Sequence, residues 1–251
     1  LMEAAAPART RLRRVGHKGA DAITPGNTLA SFEAAAEAGV DTIEFDVLWQ
    51  RDGHPRIAAS ERTPLLVAHD WNDASRRTPL TLAEALDAFT RPPLAEIEID
   101  LDLKLPGRED EVVAALRERD LVGRAMTSTM EISSVEKLGE LEPELRRGWT
   151  YPKVTRDWRS KRWATPLVFG AMMAMRRRLP TLAARELPRL GVEAMWAFHP
   201  LISAELAVTT AAAGVELIAW TVDDEVTMAR LARIGVNGIC SNDPRLFATL
   251  A

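Results

Sequence analysis

Four short stretches of the chain share one local grammar. "AGVDTIEFD", "LGVEAMWAF", "AGVELIAWT" and "IGVNGICSN" each place a glycine (Gly39, Gly191, Gly214, Gly235) before a valine, a polar residue and a short apolar run. A glycine in that position can take the left-handed conformation that ends a helix, and the apolar run after it reads as a strand. Ahead of each glycine lies an alanine- or leucine-rich stretch of helical character: "TLASFEAAAEA", "LAARELPRL", "SAELAVTTAAA" and "DEVTMARLARI". Helix, glycine, strand, repeated along the chain, predicts successive βα units.

The region between the first two repeats fits the same rhythm. "TLAEALDAF" carries a capping box from Thr81 to Glu84, and "EDEVVAALRERD" and "ISSVEKL" read as further helices. Apolar runs at 13–17, 42–47, 96–104, 125–128, 147–151, 194–198, 216–221 and 238–241 give eight candidate parallel strands. Eight strands with intervening helices in 251 residues predict a TIM (β/α)₈ barrel, as one domain over 1–251 with no inserted domain. An open doubly wound sheet has the same rhythm, but the chain contains neither GxGxxG nor a P-loop. A ninth run, "PLLVAH", follows strand 2 too closely for a parallel crossover, so it is expected to double back as a hairpin excursion on the rim.

Composition narrows the function classes. A formal charge of -4 gives no long-range attraction to polyanions, so nucleic acid is not an expected partner. The single cysteine, Cys240, excludes an internal disulfide and any multi-cysteine metal site, and reads as a small buried hydrophobe. "LMEAAAPARTRLRR" has no apolar core before a cleavage site, so no signal peptide is expected. The longest uncharged run, Trp163 to Met175, has thirteen residues with a proline and a glycine, against the ~20 needed to cross a bilayer. A cytoplasmic protein is expected, with peripheral membrane contact through the aromatic and basic residues of 158–178 as one reading and ordinary helix packing of its methionines as the other.

The chemistry sits where packing alone would ask for valine. Glu44 and Asp46 share one face of strand 2, while Ile43, Phe45 and Val47 share the other. In a barrel the apolar face lies under helices and the acids point inward. Burying two ionised carboxylates side by side is costly without a counter-charge, and oxygen donors select a hard cation, Mg²⁺ or Ca²⁺, although salt bridges to Lys or Arg would also serve. In "EIEIDLDLKLPG", Glu96, Glu98, Asp100, Asp102 and Lys104 alternate with apolar residues, so they share one face. Asp102 is the expected third ligand, with Lys104 one step above, while Glu98 and Asp100 lie deeper and need partners of their own. His17 ends strand 1 and His69 ends the excursion; two imidazoles beside a cation suit general acid and base roles in phosphoryl chemistry.

"HKGADAITPGNTLASFEAAAEAGVDTIEFDV", "VAHD", "LTLAEAL", "IAWTVDD" and "GVNGICSNDP" together resemble the glycerophosphodiester phosphodiesterases, over nearly the whole chain. The resemblance implies a TIM barrel that hydrolyses glycerophosphodiesters to glycerol phosphate and an alcohol with one divalent cation. It implies His17 and His69 as the catalytic histidines and Glu44, Asp46 and Asp102 as metal ligands. Lys18, Lys104 and Trp220 would then contact substrate or phosphate. Lysophospholipid is a further small-molecule substrate that the resemblance allows, and a phospholipase D-like or sphingomyelinase D-like activity is the alternative, since the related sphingomyelinase D type enzymes also carry Asp before the Lys.

The departures from the family pattern are specific. "HKG" stands where His-Arg-Gly is usual, and Lys18 cannot make arginine's bidentate contact. "PGNT" stands for Pro-Glu-Asn-Thr, so Gly26 removes a carboxylate and Asn27 and Thr28 are left to cap the first helix. Asp102 is one methylene shorter than the usual Glu, and the connection after His69 is short, which implies an open site without much of a lid. A barrel whose site has decayed into a phosphate-binding module is the non-enzymatic alternative. His199, at the end of the 194–198 strand, is expected either to touch substrate or to cap the next loop, and His54 reads as a loop residue.

Overall fold

The computed structural model describes residues 11–50, 63–153 and 165–250. Eight parallel strands close into a barrel: β1 (Arg13–His17), β2 (Thr42–Leu48), β4 (Glu98–Leu103), β5 (Ala125–Thr129), β6 (Arg146–Tyr151), β7 (Ala194–Phe198), β8 (Glu216–Trp220) and β9 (Gly238–Ser241). Sheet order runs β1-β9-β8-β7-β6-β5-β4-β2, and the β1–β2 pairing completes the ring. The excursion is β3 (Leu66–Val67), which pairs antiparallel to the end of β2 through Val47 and Leu48. His54 and the rest of 51–62 lie outside the described residues.

The helices are α1 (Leu29–Glu37), α2 (Trp71–Arg76), α3 (Leu82–Ala88), α4 (Glu109–Arg117), α5 (Ile132–Leu141), α6 (Thr165–Leu190), α7 (Ala204–Ala212) and α8 (Glu225–Ile234). Their ends follow the sequence. Thr28 and Thr81 form capping boxes with Ser31 and Glu84, and Gly235, at φ 97°, terminates α8 in the left-handed conformation. The other three glycines of the repeated grammar also have positive φ.

One helix is longer than its sequence suggests. Only 182–190 reads as helical, yet α6 spans Thr165–Leu190 and contains Pro180 and Pro188. Leu179, Ala183, Leu187 and Leu190 are buried at helical spacing in one apolar cluster, and that burial outweighs the roughly 3 kcal/mol that an interior proline costs. Met172 and Met175 pack against the same cluster, whereas Phe169 is exposed; 158–164 lie outside the described residues. No helix among the described residues is long and apolar enough to cross a membrane.

The barrel interior is built in layers from alternate strands. At the floor, Arg13 (β1), Glu98 (β4), Arg146 (β6) and Glu216 (β8) form a closed ring in which each arginine bonds both glutamates. Glu98 thus has the partners its position requires. Above it, Val15, Met126, Ala194, Trp196, Ile218 and Cys240 make an apolar plug. Gly148 leaves room for it, since a Cβ there would come within 2.7 Å of the Trp196 indole. Asp100, fully buried, accepts a hydrogen bond from Ser128 (2.7 Å), and burial raises its pKa well above the usual carboxylate value. Outside the barrel, Ile43, Phe45 and Val47 pack with Phe32 and Phe89.

Candidate active site

Four residues up from the floor ring, the same strands carry His17, Asp102, Thr150 and Trp220 at or next to their last residue, so side-chain alternation brings these to the C-terminal mouth. Glu44 and Asp46 join them from β2. One oxygen each from Glu44, Asp46 and Asp102 lies within 4.8 Å of the others, a group that could hold a metal ion. Asp102, despite its shorter side chain, therefore still reaches the other two. Lys104 follows one step above Asp102, its N–H donating to the Val47 carbonyl, and its Nζ reaches back to ion-pair with both Asp46 and Asp102 as their counter-charge.

The three acids differ in electrostatic state. Burial, reinforced by the neighbouring Asp46 charge, pushes the Glu44 pKa up to about 8. Burial acts the same way on Asp46, but Lys104 and the His69 hydrogen bond outweigh it and hold this carboxyl well below its ordinary value. Burial opposes charge on Lys104 too, and Asp102 and Asp46 reverse that, raising its pKa. A buried carboxylate cluster with one lysine as its internal counter-charge retains an excess of negative oxygen donors, which fits a hard divalent cation.

His17 leaves β1 into a tight loop. Lys18 has φ 52°, its N–H donates to Glu44 Oε2 (2.8 Å) and its carbonyl accepts from Asn27 N (2.9 Å) and Ser31 Oγ (2.7 Å). Gly19 (φ 86°) must be glycine, because a Cβ would lie 2.6 Å from Ser31. Burial depresses the His17 pKa, with the Lys18 charge adding to it. His17 Nε2 lies 3.9 Å from Glu44 Oε2, and Nδ1 lies 2.6 Å from Asn242 Oδ1.

His69 reaches the site from the other side. Its Nδ1 lies 3.2 Å from Asp46 Oδ2, and its N–H donates to Asp73. Asp70 caps α2 through Asp73 N, and Arg77 ties Asp73 to the carbonyls of Asn27 and Val67. Its side chain is 49% exposed against 20% for His17, so the two imidazoles face the acids from unlike environments.

Two sequence expectations need correction. Asn27 does not cap α1: Thr28 does, and buried Asn27 instead grips Asp46, donating from Nδ2 to Oδ2 (2.7 Å) and accepting from the Asp46 N–H (3.1 Å). A neighbouring Asn-Thr pair looks like a cap locally, whereas the Asp46 contact depends on barrel closure. Gly26 is more than a missing carboxylate. Its N–H donates to Asp21 Oδ1 (2.7 Å), and a Cβ there would meet that oxygen at 2.6 Å and Lys18 Cβ at 2.7 Å, so Asp21 fills the space beside it.

Across the mouth the wall is aromatic. Trp220 and Phe198 have ring centroids 5.5 Å apart, and His199 stands edge-on to Phe198 at 5.3 Å. The Thr150 hydroxyl and the Trp220 indole N–H have no protein hydrogen-bond partner among the described residues. Thr150, Asn27, Asn242 and Asp223 were not singled out from sequence as site residues. For Thr150 the signal was available, since it sits on β6 at the register of His17 on β1.

A family model described as the glycerophosphoryl diester phosphodiesterase family matches residues 17–63 and 59–246. The chain belongs to that enzyme family. A glycerophosphodiester phosphodiesterase of Caldanaerobacter subterraneus is 27% identical, over 94% of this chain and 96% of that protein. Among solved structures, a glycerophosphodiester phosphodiesterase of Parabacteroides distasonis superimposes with a TM-score of 0.71 at 17% identity, over 97% of this chain and all of the other. An Oleispira antarctica phosphodiesterase in complex with the product sn-glycerol-3-phosphate gives 0.67 at 19% identity, covering 95% and 96%. At such identities the two structures establish the barrel fold, and the family model establishes membership.

Proposed function

We propose that this chain hydrolyses glycerophosphodiesters to glycerol phosphate and an alcohol with the help of Mg²⁺ or Ca²⁺. The observation that carries the reading is the convergence of Glu44, Asp46 and Asp102 oxygens within 4.8 Å, flanked by His17 and His69. A divalent cation held by those three carboxylates would supply positive charge toward the non-bridging phosphate oxygens. The chain's own residues do the rest. As the attacking O–H forms a new P–O bond and the bond to the departing alcohol breaks, one imidazole takes the attacker's proton and the other gives a proton to the leaving oxygen. Asn27 and Lys104 hold Asp46 in place, Lys18 adds charge beside His17, and Trp220 with Phe198 forms an apolar wall for the organic part of the substrate.

One observation favours breadth in the alcohol. The connection after His69 passes straight into α2, and the His69 side chain is 49% exposed, so bulky alcohols, including lysophospholipid, are not shut out. The decayed-site alternative loses ground because the replaced positions do not break the constellation: Asp102 reaches the cluster and Asp21 fills the place beside Gly26. A panel of glycerophosphodiesters and lysophospholipids, run with wild type, His17→Ala and Asp102→Ala and scored for released alcohol, tests the reading. Each variant should lose about 10³-fold in kcat/KM. Retained rate in both would remove the assignment.

A further inference from the structure

Large hydrophobic side chains left in water are unevenly distributed over this barrel. Six are exposed among the described residues: Ile23, Leu29, Trp71, Phe169, Val208 and Val226. Ile23 lies in the loop from β1 to α1, and Leu29, Trp71 and Val226 lie in the first turns of α1, α2 and α8. That loop and those helix starts follow the strand ends that form the mouth, so these four stand on its rim. Val208, in the middle of α7, is on the flank.

Phe169 belongs to the rim for a geometric reason. α6 has 26 residues and is about 39 Å long, whereas the five residues of β7, the strand it leads into, cover about 17 Å. The buried stripe from Leu179 to Leu190 covers the barrel wall, and Arg176 donates to the carbonyl of Pro200 (2.7 Å), just past the end of β7. The turns before Arg176 therefore stand above the mouth. Met172 and Met175 hold the inner side of this overhang against the apolar cluster, while Phe169, farther out, is 58% exposed. Behind it come Arg177 and Arg178, both exposed and without a carboxylate partner among the described residues.

We propose that the mouth rim is a lipid-docking surface, with the active site opening onto the lipid layer. Ile23, Leu29, Trp71, Phe169 and Val226 enter the boundary between headgroups and acyl chains, and Arg177 and Arg178 pair with lipid phosphates. Single exposed apolar residues need no explanation, but a set gathered around one opening does. A lipid layer fits better than a protein partner, because the apolar residues come from separate elements around an opening and a fluid layer accepts each singly. The arginines behind the apolar tip of α6 complement the phosphates of such a layer. Exposed Asp223, Asp224 and Glu225 beside Val226 confine the attraction for anionic lipid to the α6 side, so apolar insertion carries most of the affinity. Docking deepens the proposed function, on which its purpose of presenting lysophospholipid to the site rests, but it can be measured without turnover.

The test is sedimentation of Mg²⁺-loaded protein with vesicles of phosphatidylcholine, with and without added phosphatidylglycerol. Wild type should bind both, more tightly with phosphatidylglycerol. Phe169→Ala and Trp71→Ala should each weaken binding about tenfold and together about 10²-fold, whereas Val208→Ala, off the rim, should stay within about twofold of wild type. Arg177→Glu combined with Arg178→Glu should erase the gain from phosphatidylglycerol. Phe169→Ala should leave hydrolysis of a soluble glycerophosphodiester unchanged while slowing hydrolysis of vesicle-borne lysophospholipid. Absence of wild-type binding to either vesicle, binding indifferent to both apolar substitutions, or equal losses in Val208→Ala and Phe169→Ala would overturn the docking surface. So would a lipid-free wild-type dimer that Phe169→Ala disperses, since the rim would then seat a second copy. Vesicle binding without hydrolysis of any phosphodiester would remove the proposed function and leave the docking surface standing.

Discussion

The floor and the mouth of the barrel are made by the same four strands, four residues apart, and they solve opposite problems. At the floor, Arg13, Glu98, Arg146 and Glu216 alternate in sign and close a ring in which every charge has two opposite neighbours. At the mouth, three acids from β2 and β4 crowd one lysine, and burial, reinforced by the Asp46 charge, raises the Glu44 pKa to about 8. A layer that neutralises itself is structural. A layer left short of positive charge has room for a cation from outside, which is why two acidic residues on one face of β4, Glu98 and Asp102, carry different meanings.

Mutation should separate the two layers most sharply. Asp46→Asn at the mouth should cost about 10³-fold in kcat/KM against a glycerophosphodiester, because it removes a buried carboxylate at the centre of the constellation. Glu98→Gln at the floor should change kcat/KM by less than about threefold and lower unfolding free energy by about 1–2 kcal/mol in urea denaturation, a modest loss because the ring is partly exposed. Activity loss on mutating the floor, or its survival on mutating Asp46, would erase the distinction.

A smaller effect should appear in stability against pH. Glu44 ionises near 4.5 when unfolded and near 8 when folded, so its contribution to stability is present below 4.5 and is lost as pH rises toward 8. Asp100, also raised, has the same sign. His17, lowered from 6.5, has the opposite sign, but that contribution is complete above 6.5. Metal-free protein should therefore show a falling Tm between pH 6.5 and about 8.5, and Mg²⁺ or Ca²⁺ should restore it by binding the ionised cluster. A Tm that does not change over that window, with or without the ion, would mean that the mouth is neutralised internally, like the floor.

The strands and their inward faces were legible in the sequence because both signals are local. The glycine-valine grammar marks where helices stop, and the two-residue period in "EIEIDLDLKLPG" fixes the face that carries the acids. What the sequence hid depends on closure. Asn242 lies 225 positions from His17, and Arg146 lies 48 from Glu98. Neither partner can be picked out before β9 meets β1 and β6 faces β4. Asn27 was misread for the same reason, since its next-door capping role is a local guess and its Asp46 partner is a tertiary fact. The length of α6 was hidden by Pro180, a local breaker overridden by the apolar stripe packed beneath it.

Calorimetric titration of Mg²⁺ and of Ca²⁺ into chelator-treated protein tests the central claim most directly. One ion should bind per chain in wild type and in Glu98→Gln, with binding lost in Asp46→Asn and weakened at least tenfold in Asp102→Asn. Equal binding in wild type and Asp46→Asn, or no binding of either ion to the wild-type chain, would contradict it.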